Sequence, residues 1–288
     1  MEVIVGKTAG FCFGVKNAIE NTEKQIKNEK NIYCLGELVH NKQVIEELKA
    51  KGVIFINDIK EAKNKVIIRA HGAEKQTYET AEKNDVKIVD LTCPKVLFIH
   101  KLALEYAEKN YYIFLIGKKE HPEIQATKSF CGEKYTIIQE FEDIDKAVED
   151  YKATDCNKIL ILAQTTYNLN SFNKIVDEIK NQIINSEIEI KNTICNATQN
   201  RQEETIKIAK TVEAMIVIGG QHSSNSIELY ETAKQYCKNV QFIETIKELD
   251  LQKLNQVNKI GIMAGASTPE KSIKDVLTEI QAHFPQNS

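Results

Sequence analysis

Short β-branched runs recur along the chain, at residues 3–5, 32–35, 53–56, 66–68, 88–91, 112–116, 135–138, 159–162, 188–190, 215–218, 240–243 and 260–263. Their length and composition predict strands. Between most of them apolar residues recur at helical spacing, in 18–27, 43–49, 75–83, 96–109, 170–184, 199–212, 226–236 and 269–284. This alternation predicts an α/β protein whose mostly parallel sheets are covered by helices. About a dozen strands is too many for one doubly wound sheet, and no Gly/Ser linker divides the chain, so several small sheets packed closely together are expected.

Polar and reactive residues gather where these strands end. His40 follows Leu38-Val39, His71 follows Arg69-Ala70, and Cys93 follows Leu91-Thr92. His121 and Glu123 come just after Gly117; Gln164, Thr165 and Thr166 close Leu162-Ala163; Cys195 closes Thr193-Ile194. Ser223, Ser224 and Asn225 follow Gly219-Gly220, and Ser267 follows Gly265-Ala266. Ligands of open α/β sheets bind beyond the carboxyl ends of strands, so this census points to one shared site.

The seven cysteines separate by context. Cys12 is flanked by Gly10 and Gly14, which let backbone amides approach a bulky group. Cys93 precedes Pro94, which opens a helix at its first position and favours a thiolate there. Cys34, Cys131, Cys156 and Cys237 lack such neighbours and read as packing residues. Cys12, Cys93 and Cys195 stand 81 and 102 residues apart, one in each of three comparable βα units. The divisions expected are 1–93, with Cys12 and Cys93 at its ends, 94–194, and 195–288 with a C-terminal helix. Without a Cys-x-x-Cys pair, zinc and an iron–sulfur cluster both remain open for these thiols, as does a single nucleophile.

The other candidates keep two readings each. His40 and His71 suit a metal, a hydrogen-bonded core or a phosphate. Ser223-Ser224-Asn225 and Ser267-Thr268 suit an ordinary helix cap or an anion cradle. Glu123 is either a buried proton donor or a surface carboxylate at a helix start.

Composition narrows the partners. With 288 residues, 42% hydrophobic, 27% charged and a net charge of -3, the chain is globular and carries no field for a nucleic-acid backbone. The lysines of the 24–30 stretch are interrupted by Glu and Asn and read as a solvated helix face. The N-terminus lacks signal-peptide features and no apolar run reaches membrane length, so the expected compartment is the cytoplasm, with no membrane partner. An odd number of cysteines in a reducing compartment is not a disulfide framework. Gly6-Lys7-Thr8 looks like the end of a P-loop, but Met1 stands where that pattern needs glycine, and no GxGxxG occurs.

Nine ordered motifs spanning residues 3 to about 280 resemble the 4-hydroxy-3-methylbut-2-enyl diphosphate reductase family of the methylerythritol phosphate route to isoprenoids. They are Ala9-Gly10-Phe11-Cys12-Phe13-Gly14-Val15, Val39-His40-Asn41, Arg69-Ala70-His71-Gly72, Thr92-Cys93-Pro94, His121-Pro122-Glu123, Gln164-Thr165-Thr166, Cys195-Asn196-Ala197-Thr198-Gln199-Asn200-Arg201-Gln202, Ser223-Ser224-Asn225-Ser226 and Gly265-Ala266-Ser267-Thr268-Pro269. The family often has histidine at the position of Lys118 and glycine at that of Glu120. The resemblance implies three small α/β lobes around a central [4Fe-4S] cluster held by Cys12, Cys93 and Cys195, with one iron left open for substrate. It also implies that His40, His71, Ser223, Asn225 and Ser267 hold a diphosphate, with Ser224 and His121 lining the same pocket. Thr165 and Glu123 would lie near the allylic hydroxyl, Glu123 delivering protons, and the electrons would come from a donor such as ferredoxin or flavodoxin.

Overall fold

A computed structural model describes residues 1–28 and 31–284, so residues 29 and 30 of the lysine-rich 24–30 stretch lie outside the described residues. The chain begins with β1 (Glu2–Val5), α1 (Phe13–Asn28), β2 (Ile32–Leu35), α2 (Lys42–Ala50), β3 (Val53–Ile56), β4 (Lys65–Ile68), α3 (Lys75–Lys83) and β5 (Lys87–Asp90). It continues through α4 (Pro94–Glu108), β6 (Tyr112–Ile116), α5 (Pro122–Lys128), β7 (Tyr135–Ile138), α6 (Ile144–Lys152), β8 (Lys158–Ala163), α7 (Leu169–Gln182) and β9 (Glu187–Ile190). The last part is α8 (Asn196–Ala209), β10 (Ala214–Ile218), α9 (Ser224–Lys234), β11 (Asn239–Ile243), β12 (Lys259–Ala264) and α10 (Glu270–His283).

All of the strands expected from the β-branched runs form. Two helices were not anticipated. α5 has seven residues, too few to show a period, and α6 offers only two turns of its Ile144, Ala147, Val148, Tyr151 face.

The strands make three four-stranded sheets, ordered β3-β2-β4-β5, β7-β6-β8-β9 and β11-β10-β12-β1, and every pairing is parallel. The three orders are one topology repeated. The third sheet takes its fourth strand from the start of the chain, so β1 occupies the edge that β5 and β9 occupy in theirs.

The chain clusters into two compact units. Met1–Lys16, Val39–Glu46 and Asn196–Ser288 form the first, which contains the sheet closed by β1. Asn17–Leu38 and Glu47–Cys195 form the second, which contains the other two sheets.

Alternation of side chains across a strand divides the burial of the β6–β9 sheet, and of the sheet closed by β1, between two cores each. All five residues of β6 are buried. Tyr112, Phe114 and Ile116 point with Ile159 and Ile161 into a core closed by α6 and α7, while Ile113 and Leu115 join Leu160 and Leu162 beneath α4 and Ile124. In the first unit Ile216 and Ile262 pack against Val276 and Ile280 of α10, and Met215, Val217 and Met263 against Ile208 of α8 and Leu229 of α9. Runs that read as uniformly apolar are therefore central strands buried on both faces. Among the described residues no helix is long and apolar enough to cross a membrane.

Phe114 is 0% exposed and meets Tyr112 edge-on at 5.4 Å. Phe114→Ala is expected to cost about 3–5 kcal/mol, read from urea unfolding; a loss below about 1 kcal/mol would show a core able to collapse around the gap.

Candidate functional site

The parallel register continues past the strand ends and there fixes the cysteines. In the sheet closed by β1, the Cys12 N–H donates to the Ala266 carbonyl at 3.0 Å, next to Ser267. In the β2–β5 sheet, the Cys93 N–H donates to the Ala70 carbonyl at 3.0 Å, next to His71. In the β6–β9 sheet, the Cys195 N–H donates to the carbonyl of Thr165 itself at 2.9 Å. Each cysteine thus follows the edge strand of its sheet, and its backbone is tied to the loop of the neighbouring strand that carries a polar candidate.

All three thiols also stand at helix N-termini. Cys12 Sγ accepts from Val15 N at 3.5 Å at the head of α1, Cys93 caps α4 with Pro94 at the first position, and Cys195 directly precedes α8. Such termini favour negative charge. The three are half-buried, whereas Cys34, Cys131 and Cys237 are buried. Burial pushes Cys34 and Cys131 up to about 12 and raises Cys237. Cys156 is half-buried against the core between α6 and α7. The packing role expected of these four matches their surroundings.

In the first unit, His40, Ser223, Ser224, Asn225 and Ser267 lie on loops that approach very closely. A Cβ at Gly220 would stand 2.6 Å from the His40 carbonyl, and Ser267 Oγ donates to that same oxygen at 3.0 Å. Gly219 and Gly265 are pressed onto Ser226, where added Cβ atoms would fall 2.1 and 2.0 Å from its Oγ. Helix α9 starts two residues earlier than its apolar spacing predicts, so Ser224 and Asn225 form its first turn and Ser223 is its N-cap, accepting from Ser226 N at 3.4 Å. The ordinary cap reading thus holds for Ser223 alone. Asn225 is only 4% exposed, and neither polar atom of its side-chain amide has a hydrogen-bond partner among the described residues. An amide desolvated without partners is costly unless a ligand supplies them.

In the second unit, Glu123 belongs to the first turn of α5 and is 2% exposed, so it is a helix-start carboxylate but not a surface one. Its oxygens accept from Thr165 N and Thr165 Oγ1, both at 2.6 Å. Burial raises the Glu123 pKa to about 7 against the partial opposition of those two hydrogen bonds. His121 caps α5, its Nδ1 accepting from Glu123 N at 3.2 Å, and its ring meets His71 edge-on with centroids 5.4 Å apart. Gln164 steadies the same loops, accepting from Lys118 N at 3.0 Å and donating to Thr166 Oγ1 at 2.7 Å.

Sequence reasoning missed two further residues. Arg201, 4% exposed on α8, donates to the Gly10 carbonyl at 2.7 Å, and Glu204 accepts from Lys7 N and Thr8 N at 2.8 Å. Both lie in a polar stretch of α8 whose weak apolar pattern does not announce which face is buried.

Each of the three thiols is half-buried at a helix terminus, a setting whose chemistry suits ligation of a soft metal, and Gly10 is held at φ +98 close to Cys12. Glu123 is a buried acid and Asn225 a buried amide without partners among the described residues. The fold is that of a parallel α/β protein with its polar and thiol-bearing residues at the strand ends. The chain belongs to the LytB protein family, whose model matches residues 3–281.

It is 37% identical over 287 residues to a Thermoanaerobacter (strain X514) 4-hydroxy-3-methylbut-2-enyl diphosphate reductase, covering 98% of this chain and 97% of the relative. Identity to the Clostridioides difficile protein of that name is 38% over 284 residues, covering 98% and 99%. The solved structure of the Plasmodium falciparum E-1-hydroxy-2-methyl-but-2-enyl-4-diphosphate reductase is similar with a TM-score of 0.91 at 31% identity, over 99% of this chain and 89% of that one. A solved (E)-4-hydroxy-3-methyl-but-2-enyl diphosphate reductase, described as the terminal enzyme of the non-mevalonate pathway, gives a TM-score of 0.70 at 37% identity, over 98% and 100%.

Two expectations follow from this geometry. The fold binds the protonated Glu123 more readily than its carboxylate, so this contribution to stability is complete below the ordinary value of 4.5 and is lost as pH rises through about 7. The stability of Glu123→Gln relative to the unaltered chain should therefore increase by on the order of 3 kcal/mol between about pH 4.5 and 7.5 in urea unfolding, and a flat difference would contradict the raised value. Asn225→Ala removes two unpartnered polar atoms, so its unfolding free energy should fall by no more than about 0.5 kcal/mol or rise. Added pyrophosphate should raise the melting temperature of the unaltered chain and not that of Asn225→Ala; equal shifts would remove Asn225 from the anion site.

Proposed function

We propose that the chain is a 4-hydroxy-3-methylbut-2-enyl diphosphate reductase. The substrate takes up two electrons and two protons, loses its allylic hydroxyl as water, and leaves as isopentenyl or dimethylallyl diphosphate. The observation that carries this reading is Glu123: a buried acid with a pKa of about 7, bonded to Thr165, whose carbonyl in turn receives the Cys195 amide. Proton donor and proposed metal ligand are thus joined through one residue of one sheet. Membership of the LytB protein family supports the same conclusion.

Cys12, Cys93 and Cys195 would hold a [4Fe-4S] cluster, which when bound supplies electrons and, at an iron without a protein ligand, Lewis acidity toward the hydroxyl. Ser223, Asn225, Ser267, His40 and His71 bind the diphosphate, with Ser224 and His121 lining the pocket. The unpartnered Asn225 amide supports this role most directly. Thr165 orients the hydroxyl while holding the Glu123 carboxyl in place. With a pKa near neutrality, Glu123 can carry a proton and release it to the departing hydroxyl or the allylic carbon at little cost. A small ferredoxin or flavodoxin would supply the electrons. Seven free cysteines suit the reducing cytoplasm as the place of action.

Protein purified without oxygen is expected to be brown, with about four irons and four sulfides per chain. Glu123→Gln should retain that iron and its apparent affinity for substrate but turn over at least about a hundredfold more slowly. Zinc in place of iron, or a colourless chain after careful reconstitution, would overturn the assignment, and undiminished turnover would remove Glu123 from it.

A further inference from the structure

The three thiol-bearing loops differ in length and in how they are stiffened. Cys93 lies three residues past β5 and Cys195 five past β9, whereas Cys12 lies seven past β1. The two shorter loops share one device. Asp90 Oδ1 accepts from Thr92 N at 2.9 Å and Asn192 Oδ1 from Ile194 N at 3.1 Å, so an Asp or Asn three residues before the cysteine fixes the residue just before it. Thr193 Oγ1 adds a bond to the neighbouring strand, donating to the Ala163 carbonyl at 2.5 Å.

The Cys12 loop cannot use this device, because Ala9 stands three residues before the cysteine and Gly10 follows it. Its backbone bonds to the neighbouring strand include a long one, Gly10 N to the Ala264 carbonyl at 3.4 Å. The restraint comes instead from α8. Glu204 accepts from Lys7 N and Thr8 N at 2.8 Å and from Thr8 Oγ1 at 2.5 Å, so one carboxylate fixes the first half of the loop. One turn earlier, Arg201 bridges the Ala197 carbonyl of its own helix at 2.9 Å and the Gly10 carbonyl at 2.7 Å, fixing the second half. Charged partners make these bonds stronger than neutral ones.

We propose that Arg201 and Glu204 are positioning residues for the Cys12 thiol, tying its loop to the helix that begins one residue after Cys195 and replacing the Asp/Asn turn that stiffens the other two ligand loops. The role as a ligand loop rests on the cluster reading above, but the restraint on Cys12 does not require bound metal.

The test uses the full chain in two states. Before reconstitution, iodoacetamide labelling of each cysteine is followed by peptide mass spectrometry. In Arg201→Ala and Glu204→Ala, Cys12 should be alkylated at least about fivefold faster, with Cys93 and Cys195 unchanged and the buried Cys131 and Cys237 still protected. Arg201→Lys, which keeps the charge and one donor nitrogen but loses the fork, should bring the Cys12 rate to between those of Arg201→Ala and the unaltered chain. After reconstitution, iron release to a chelator should accelerate at least about fivefold in both alanine variants. An unchanged Cys12 rate, or a rise shared by Cys131 and Cys237, overturns the proposal by showing no effect or general loosening. An unaltered chain that takes up no iron overturns the cluster reading instead, and the Cys12 labelling ratio still decides the clamp.

Discussion

Parallel pairing is the constraint on which the rest of this molecule depends. A parallel sheet brings all its strands' carboxyl ends to one edge, so residues distant in sequence emerge side by side without any dedicated linker. The repeated strand order adds a second regularity. In each sheet, taken in spatial order from β3, β7 or β11, the second strand leads to one polar cluster (His40; His121 and Glu123; Ser223 to Asn225), the third to another (His71; Thr165; Ser267) and the fourth to a cysteine. One pattern of strand-end residues is thus written three times, once per sheet, and the residues that fill it differ.

Glu123 illustrates how burial and hydrogen bonding divide the work. Two short bonds from Thr165 favour its charged form, yet removal from water outweighs them and leaves the acid near neutrality. A stronger set of donors would have produced a permanent carboxylate, and fewer would have left it without orientation. The same competition runs the other way at Glu204, where burial opposes ionisation but the bonds from Lys7 and Thr8 keep the pKa below the usual carboxylate value. Two glutamates on helices are thereby set apart, one left near neutrality by burial and one kept an acceptor for backbone amides.

Much of this was legible in the chain. Doubly buried strands such as 112–116 announce themselves as apolar runs, and the polar residues named from sequence fall in the loops and helix starts that follow the strands. The pairing of β1 with β12 could not be read, since nothing in a four-residue strand specifies a partner more than 250 residues away. The start of α9 was misplaced because Ser and Asn serve equally as caps and as first-turn residues. Nor could sequence reveal that Thr165 faces Glu123, or that α8 turns Arg201 and Glu204 toward the Cys12 loop, because both depend on how distant elements dock.

The circular closure of the third repeat also has a consequence in time. β1 leaves a ribosome before the other described strands, but its one sheet partner among the described residues, β12, begins at Lys259. By the time Cys195 has emerged, both sheets of the second unit can be complete, while the first unit holds one isolated strand and the short Val39–Glu46 segment. At about 5–20 residues per second, the start of the chain waits on the order of ten seconds or more for its neighbour to be made. β1 is thus made long before it can find its place, and the Cys12 loop is put in order only after Lys259–Ala264 has emerged.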